Sequence, residues 1–277
     1  MNSDKSGILI LAGTGDAKNL VEYLFARFNF RDNPVTVSVV TENAAADYRK
    51  KQIPVRTGAL NESQMASFIN DENISVIIDA THPFALDASR NAISVANQTS
   101  AVYIRYERPD IDFTDESGQI SNHLFVNNHE EAAALTVLLQ KKLNQNMTVM
   151  LATGAKSLEV YAKAFQAISE IKIIARLLPT VENMELCIKQ GIPQANIIGM
   201  QGPFSKELNR ELFLKYGVNV LISKESGSAG SAEEKMLAAR ELGITTIIID
   251  RPDIAYPNLC RNFAEVEEKL RETLNTK

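Results

Sequence analysis

Tryptophan is absent from this 277-residue chain, cysteine occurs twice and histidine three times. Cys187 and Cys260 lie far apart, form no CxxC and have no clustered histidines, so neither a disulfide scaffold nor a zinc site is expected. No apolar run has the length of a membrane span. The first, Ile8 to Ala12, is short and lacks the flanks of a secretory signal, which makes the cytoplasm the simplest compartment. Excess positive charge is missing as well. With 29 Lys+Arg against 34 Asp+Glu, the net charge is −5, so broad electrostatic capture of nucleic acid or an anionic membrane is not expected. HExxH, GxxxxGK(S/T), GxSxG and a Ser-His-Asp spacing do not occur, which removes support for zinc proteases, P-loop enzymes and α/β-hydrolases.

What is present is alternation. Short β-branched apolar runs are each followed by an amphipathic segment of helix length, the signature of parallel βαβ units. Strands are expected at Gly7–Ala12, Val35–Val40, Ile53–Arg56, Ser75–Ala80 and Ala101–Arg105, with helices over Ala17–Phe28, Glu62–Asp71 and Leu86–Gln98. A stretch with acidic clusters, a Pro and a Gly, Glu107–Asn122, reads as a seam. Beyond it strands are expected at Leu124–Val126, Thr148–Ala152, Lys172–Leu177, Asn196–Met200, Asn219–Ser223 and Thr245–Asp250, with a helix over Glu130–Leu143. Each series closes on a strand followed by Arg-Pro, at Arg108-Pro109 and Arg251-Pro252. The expectation is an α/β protein of two Rossmann-like domains, residues 1–115 and 116–277, with mainly parallel sheets and a cleft between the domains.

Open parallel sheets bind ligands beyond the carboxyl ends of their strands, where helix N-termini supply free N–H groups and positive dipoles. The first strand runs there into Gly13-Thr14-Gly15-Asp16-Ala17-Lys18, a partial GxGxxG with Lys18 where a third small residue belongs. Such a turn suits a dinucleotide or a phosphate, and equally a helix packed on its strand. Glu42 stands past the second strand, where an acidic residue takes the ribose 2′-hydroxyl of NAD or caps a helix. The fourth strand ends in Asp79-Ala80-Thr81-His82-Pro83, bringing a carboxylate, a hydroxyl and an imidazole together. His82 can donate a proton near neutrality or sit in a turn that Pro83 opens into a helix. His123 and His129 are expected at the surface. In the second half the strand ends carry Gly154 and Lys156, Arg176, Phe204-Ser205-Lys206, and Lys224-Glu225-Ser226-Gly227, with Lys235 one turn inside the next helix. Together with Arg56, Arg105 and Arg251 these basic strand ends predict an anion-lined cleft.

Six segments taken in order identify a family resemblance: Ile10-Leu11-Ala12-Gly13-Thr14, Pro54-Val55-Arg56-Thr57-Gly58, Asp79-Ala80-Thr81-His82-Pro83-Phe84-Ala85, Tyr103-Ile104-Arg105-Tyr106-Glu107-Arg108-Pro109, Gly202-Pro203-Phe204-Ser205 and Lys224-Glu225-Ser226-Gly227. Nearly end to end, the chain resembles the precorrin-6A reductases of cobalamin biosynthesis. The resemblance implies two Rossmann-like halves, with a nicotinamide cofactor and a corrin precursor meeting between them. It implies reduction of the C18–C19 double bond, hydride going to C19 and a proton to C18, to give precorrin-6B or its cobalt form. On that reading Gly13, Thr14, Gly15, Glu42, Thr81 and His82 serve the cofactor, with His82 also the candidate proton donor. Arg56, Arg105, Lys156, Arg176, Ser205, Lys224, Ser226, Gly227 and Lys235 face the carboxylates of a polycarboxylate tetrapyrrole or the far end of the cofactor.

One departure bears on the cofactor. Many relatives carry Ser-x-Ala-Gly-Arg after the second strand, where this chain has Ser38-Val39-Val40-Thr41-Glu42. A carboxylate repels a 2′-phosphate, so NADH is expected over NADPH. The residues themselves keep two rivals open. One is another nucleotide-dependent α/β enzyme, although no Tyr-x-x-x-Lys follows Tyr48 or Tyr161. The other is a noncatalytic two-domain module closing on an anionic small ligand. A monomer or small homo-oligomer is expected in each case.

Overall fold

The computed structural model of the chain describes residues 6–109, 123–225 and 231–275. It divides into two compact units, Met1–Pro109 with Pro252–Lys277, and Asp110–Arg251. In chain order the first unit begins with β1 (Gly7–Leu11), α1 (Gly15–Arg27), β2 (Val35–Val39), α2 (Glu42–Lys50), β3 (Val55–Thr57), α3 (Glu62–Asp71), β4 (Ile74–Asp79), α4 (Leu86–Gln98) and β5 (Val102–Tyr106). The second holds β6 (His123–Val126), α5 (His129–Leu143), β7 (Met147–Ala152), α6 (Leu158–Phe165), β8 (Ile171–Leu177), α7 (Val181–Lys189), β9 (Ile197–Gly199), α8 (Lys206–Tyr216), β10 (Val220–Lys224), α9 (Ser231–Glu241) and β11 (Thr245–Ile249). β12 (Leu259–Cys260) and α10 (Phe263–Asn275) close the chain.

Both sheets are parallel throughout and six-stranded, in the orders β12-β5-β4-β1-β2-β3 and β6-β11-β10-β7-β8-β9. Strands covered on both faces need apolar residues at every position, and β1 is buried along its whole length. Ile8 and Ile10 join Leu20, Leu24, Val266 and Leu270 in one layer, whereas Leu9 and Leu11 pack with Met65, Ile69, Ala92 and Val95 in the other. α1 follows from its apolar stripe Ala17, Leu20, Val21, Leu24 and from Thr14, whose side chain accepts the Ala17 amide at 3.0 Å.

The expected second half, 116–277, is corrected at its far end. β12 pairs with β5, Leu259 opposite Arg105 and Cys260 opposite Tyr106, and α10 buries Val266 and Leu270 in the first unit's core. The cause is packing: the apolar face of α10 completes the first unit's layer over β5. The chain thus leaves the first unit after Arg108-Pro109 and returns at Arg251-Pro252. Each arginine pairs within its own unit, Arg108 with Asp16 and Arg251 with Glu225. Most of the expected seam, residues 110–122, lies outside the described residues. Among the described residues no helix is long and apolar enough to cross a membrane.

Candidate functional site

The strand order reverses at β1/β4 in the first sheet and at β7/β10 in the second. Ligands of doubly wound sheets sit outside the carboxyl ends at such switch points. In the first unit β1 runs into Gly13, which has φ +134 and no atom within 4 Å of the place where a side chain would begin. Only glycine takes that backbone without strain, and the space it leaves is a cradle beside the α1 N-terminus. A nucleotide phosphate fits such a cradle. Thr14, Asp16, Ala80, Thr81, Pro83 and Arg108 line a small hollow of about 20 Å³ there. Asp16 would repel an anion at this helix start, and its ion pair with Arg108 offsets that charge.

Asp79 ends β4 with no exposure and is the anchor of this edge. Its carboxylate accepts hydrogen bonds from Ser89 Oγ at 2.6 Å, Tyr103 Oη at 2.7 Å, Thr81 Oγ1 at 2.7 Å, the Thr81 amide at 3.0 Å and Arg105 Nη1 at 2.9 Å. Burial pushes the Asp79 carboxyl up, but the Arg105 charge and the three hydroxyl donors outweigh it and hold the group below its ordinary value. Arg105 is an expected ligand-facing arginine that the structure turns fully inward. It is wholly buried, with Asp79 on one side and Glu107 at 2.8 Å on the other, and the Tyr256 ring 4.8 Å away. Its charge is already matched twice within the fold, and it borders the same hollow as Thr81 and Arg108. Thr81 likewise spends its hydroxyl on Asp79. His82 Nδ1 accepts the Phe84 amide at 3.3 Å, so the neutral ring carries its proton on Nε2.

At the end of β2, Glu42 is exposed and opens α2. It accepts from Arg49 Nη1 at 2.5 Å and from Thr57 Oγ1 at 2.6 Å, and these two bonds lower its pKa. Arg56, on β3, donates to Ser38 Oγ at 2.8 Å and to the Gly58 carbonyl at 2.9 Å. Both acceptors are neutral, so its charge stays available to a ligand.

The carboxyl edge of the second sheet is cationic. Gly154 follows β7 with φ +83 and open space around it, and Lys156 is exposed in the same turn. Lys224 ends β10 half-buried, its pKa lowered by burial and then by Lys156. His129 is not at the surface as expected. It is half-buried, meets Tyr161 Oη at 2.8 Å, and burial with the Lys224 charge takes it down to about 4. His123 is half-buried too, and burial lowers its pKa. Arg176 and Lys235 are buried, at 8% and 7% exposure. Ser205 accepts the Leu208 amide at 3.3 Å as the N-cap of α8, a structural use of the residue. Ser226 and Gly227 lie outside the described residues. Sequence reasoning missed Arg108, Tyr103, Ser89 and Asn209 as contributors. Among these, Tyr103 and Arg108 stood in a family segment already singled out.

A parallel sheet whose switch point offers an open glycine turn beside a helix N-terminus is the architecture of nucleotide-dependent α/β enzymes, and this chain builds it twice. Comparison with known proteins narrows the class: the chain belongs to the family described as "Precorrin-6x reductase CbiJ/CobK", whose model matches residues 7–271. It is 43% identical over 264 residues to a cobalt-precorrin-6A reductase of Priestia megaterium, covering 95% of this chain and 97% of that one. A cobalt-precorrin-6A reductase of Methanococcus maripaludis is 34% identical, with 95% and 98% covered. The solved structure of a CobK precorrin-6A reductase superposes with a TM-score of 0.77 at 25% identity, covering 97% of each chain. The protein is accordingly a reductase of cobalamin biosynthesis that uses an NAD(P)H-type reductant.

Proposed function

We propose that this chain reduces precorrin-6A or its cobalt form to the corresponding precorrin-6B, adding hydride at C19 and a proton at C18. The family match over residues 7–271 carries the reading. Reduced nicotinamide, when bound, supplies the hydride, so no protein nucleophile is needed. Gly13, Thr14, Gly15 and Thr81 hold the cofactor at the first unit's switch point, with Glu42 toward its ribose. Arg56, Lys156, Arg176, Lys224 and Lys235 meet carboxylates of the macrocycle or the far end of the cofactor. The location is the cytoplasm, as a monomer or small homo-oligomer. The test is the loss of NADH or NADPH absorbance with cobalt-precorrin-6A, accompanied by a gain of two hydrogens in the macrocycle. Tight binding of the macrocycle with neither nucleotide oxidised would favour a noncatalytic binding module instead.

His82 serves as the proton donor, consistent with a ring that presents an Nε2 proton. His82→Ala is expected to lower kcat at least about 100-fold, and a near-normal kcat removes the residue from that role. NADH is preferred over NADPH because the ionised Glu42 repels a 2′-phosphate. Arg49 tempers this repulsion, so Glu42→Ala should improve the NADPH to NADH ratio of kcat/KM by roughly 5- to 10-fold. A wild-type enzyme already faster with NADPH overturns the preference.

A further inference from the structure

Arg176 and Lys235 form a pair of buried cations that the fold leaves without an anion. Arg176 sits one residue before the end of β8 and donates through Nη1 to Asn209 Oδ1 at 2.7 Å. Asn209 is itself fixed from α8, its Nδ2 donating to the carbonyls of Ser205 at 2.8 Å and Phe204 at 3.3 Å. The Phe204 ring lies 4.7 Å from the guanidinium carbon. A neutral amide and a ring face therefore hold the guanidinium in place and leave most of its donors unused. Lys235 reaches in from α9 and is 7% exposed, with Arg176 the charged group acting on it. No carboxylate partner of either residue occurs among the described residues. The nearby acids are engaged elsewhere: Glu225 with Arg251, Glu234 with the Lys206 amide and Glu241 with the Lys206 ammonium. Burial lowers Arg176 to about 10, and burial with the Arg176 charge lowers Lys235 to about 7.

Two buried cations on neighbouring elements, neither with an anion, cost stability or drive off a proton unless something outside the chain matches them. A surface role explains neither the burial nor the clamp on Arg176. We infer that Arg176 and Lys235 form a recessed site for one oxyanion, the forked guanidinium and the ammonium gripping a single carboxylate or phosphate group. This deepens the reductase reading and rests on it for the two sources such a group can have, a carboxylate of the macrocycle or a phosphate of the nicotinamide nucleotide. Lys156 and Lys224, more open on the same sheet edge, draw further anionic groups without being part of this grip.

The test uses the full chain and Lys235→Met, with Arg176→Gln as a second variant should the first fail to fold. Thermal unfolding is followed with inorganic phosphate against chloride at matched ionic strength. Phosphate is expected to raise the wild-type Tm beyond chloride and to lose that effect in the variants. Without any anion, Lys235→Met should melt above the wild type, because it removes an unmatched buried charge. Binding of cobalt-precorrin-6A without cofactor, and of NAD+ and NADP+ without macrocycle, then identifies the source. A fall of about 10- to 100-fold in affinity for the macrocycle alone points to a carboxylate, and the same fall for both nucleotides alone to a phosphate of their shared pyrophosphate. Either supports the oxyanion site. It is overturned if phosphate stabilises the wild type no more than chloride does, or if both variants bind all three ligands as the wild type does. Failure of the reductase reading looks different: the wild type would oxidise neither nucleotide, while the phosphate comparison would still report on the pair.

Discussion

A chain ending at Arg251 is expected to lose the fold of its first unit while residues 110–251 stay compact. The deleted segment supplies β12 and α10, and with them two fully buried side chains, Val266 and Leu270, plus the nearly buried Cys260 and the packed Phe263 and Leu274. Burying an aliphatic or aromatic side chain of this size is worth about 1.5–3 kcal/mol. Four such groups, two of them partly exposed, represent roughly 5–8 kcal/mol, against a total stability of about 5–15 kcal/mol for a domain. Polar ties are lost with them. The Arg105 amide donates to the Asn258 carbonyl at 3.1 Å, the Glu107 amide to the Cys260 carbonyl at 3.0 Å, and Tyr23 Oη to Glu267 at 2.8 Å. The deletion also bares the edge of β5, a template for aggregation. Limited proteolysis should then digest residues 6–109 and spare the second unit. Joining residue 109 to residue 252 through a flexible linker should restore one cooperative unfolding transition, and a truncated chain that melts like the full one would show the segment to be dispensable.

The sequence made the sheets readable because a parallel strand covered on both faces is a solid apolar run, and such runs stand out at β1, β4, β7, β10 and β11. Helices α3 and α4 fall where the apolar periodicity places them, Glu62–Asp71 and Leu86–Gln98. The C-terminal return was not readable. β12 is two residues long, below the length at which any periodicity registers, and the face of α10 does not say which core it enters. Helix α2 was also missed, since Glu42–Lys50 buries only Ala45 and Tyr48.

At the site, the nature of the residues was legible and their orientation was not. Arg56, Arg105 and Arg176 all stand near strand ends, and nothing in the spacing separates them. Their neighbours do: Arg56 is held by a hydroxyl and a carbonyl, Arg176 by an amide, and Arg105 by two carboxylates. A partner brought from another strand, such as Asp79 to Arg105, depends on the sheet order that places β4 beside β5. The same limit hid the burial of Lys235, whose place one turn inside a helix says nothing of which side it faces.

Replacing Asp79 by alanine is expected to cost about 3–5 kcal/mol, the range for breaking a buried ion pair from one side. Arg105 would keep Glu107 but lose the partner that matches its other edge, with no water to replace it at zero exposure. Ser89, Tyr103 and Thr81 would each lose the acceptor of a hydroxyl bond. The Thr81-His82 turn would lose its anchor as well, so reductase activity should fall even under conditions where the variant stays folded. A double variant separates charge from packing. Asp79→Leu with Arg105→Met removes the unmatched guanidinium but leaves Glu107 only its 3.6 Å contact with Arg261, so it should recover part, not all, of the lost stability. Denaturant unfolding of the two single variants and the double variant gives the coupling directly, and strictly additive losses would mean that the pair does not act as one. The sign of the pH dependence follows from the same pair. The folded carboxyl titrates below its unfolded value, so its contribution is intact above about pH 4 and fades only as acid reaches the lower folded value. The difference in stability between wild type and the double variant should therefore be flat through neutrality and shift only in strong acid, a profile that an exposed surface pair would not give.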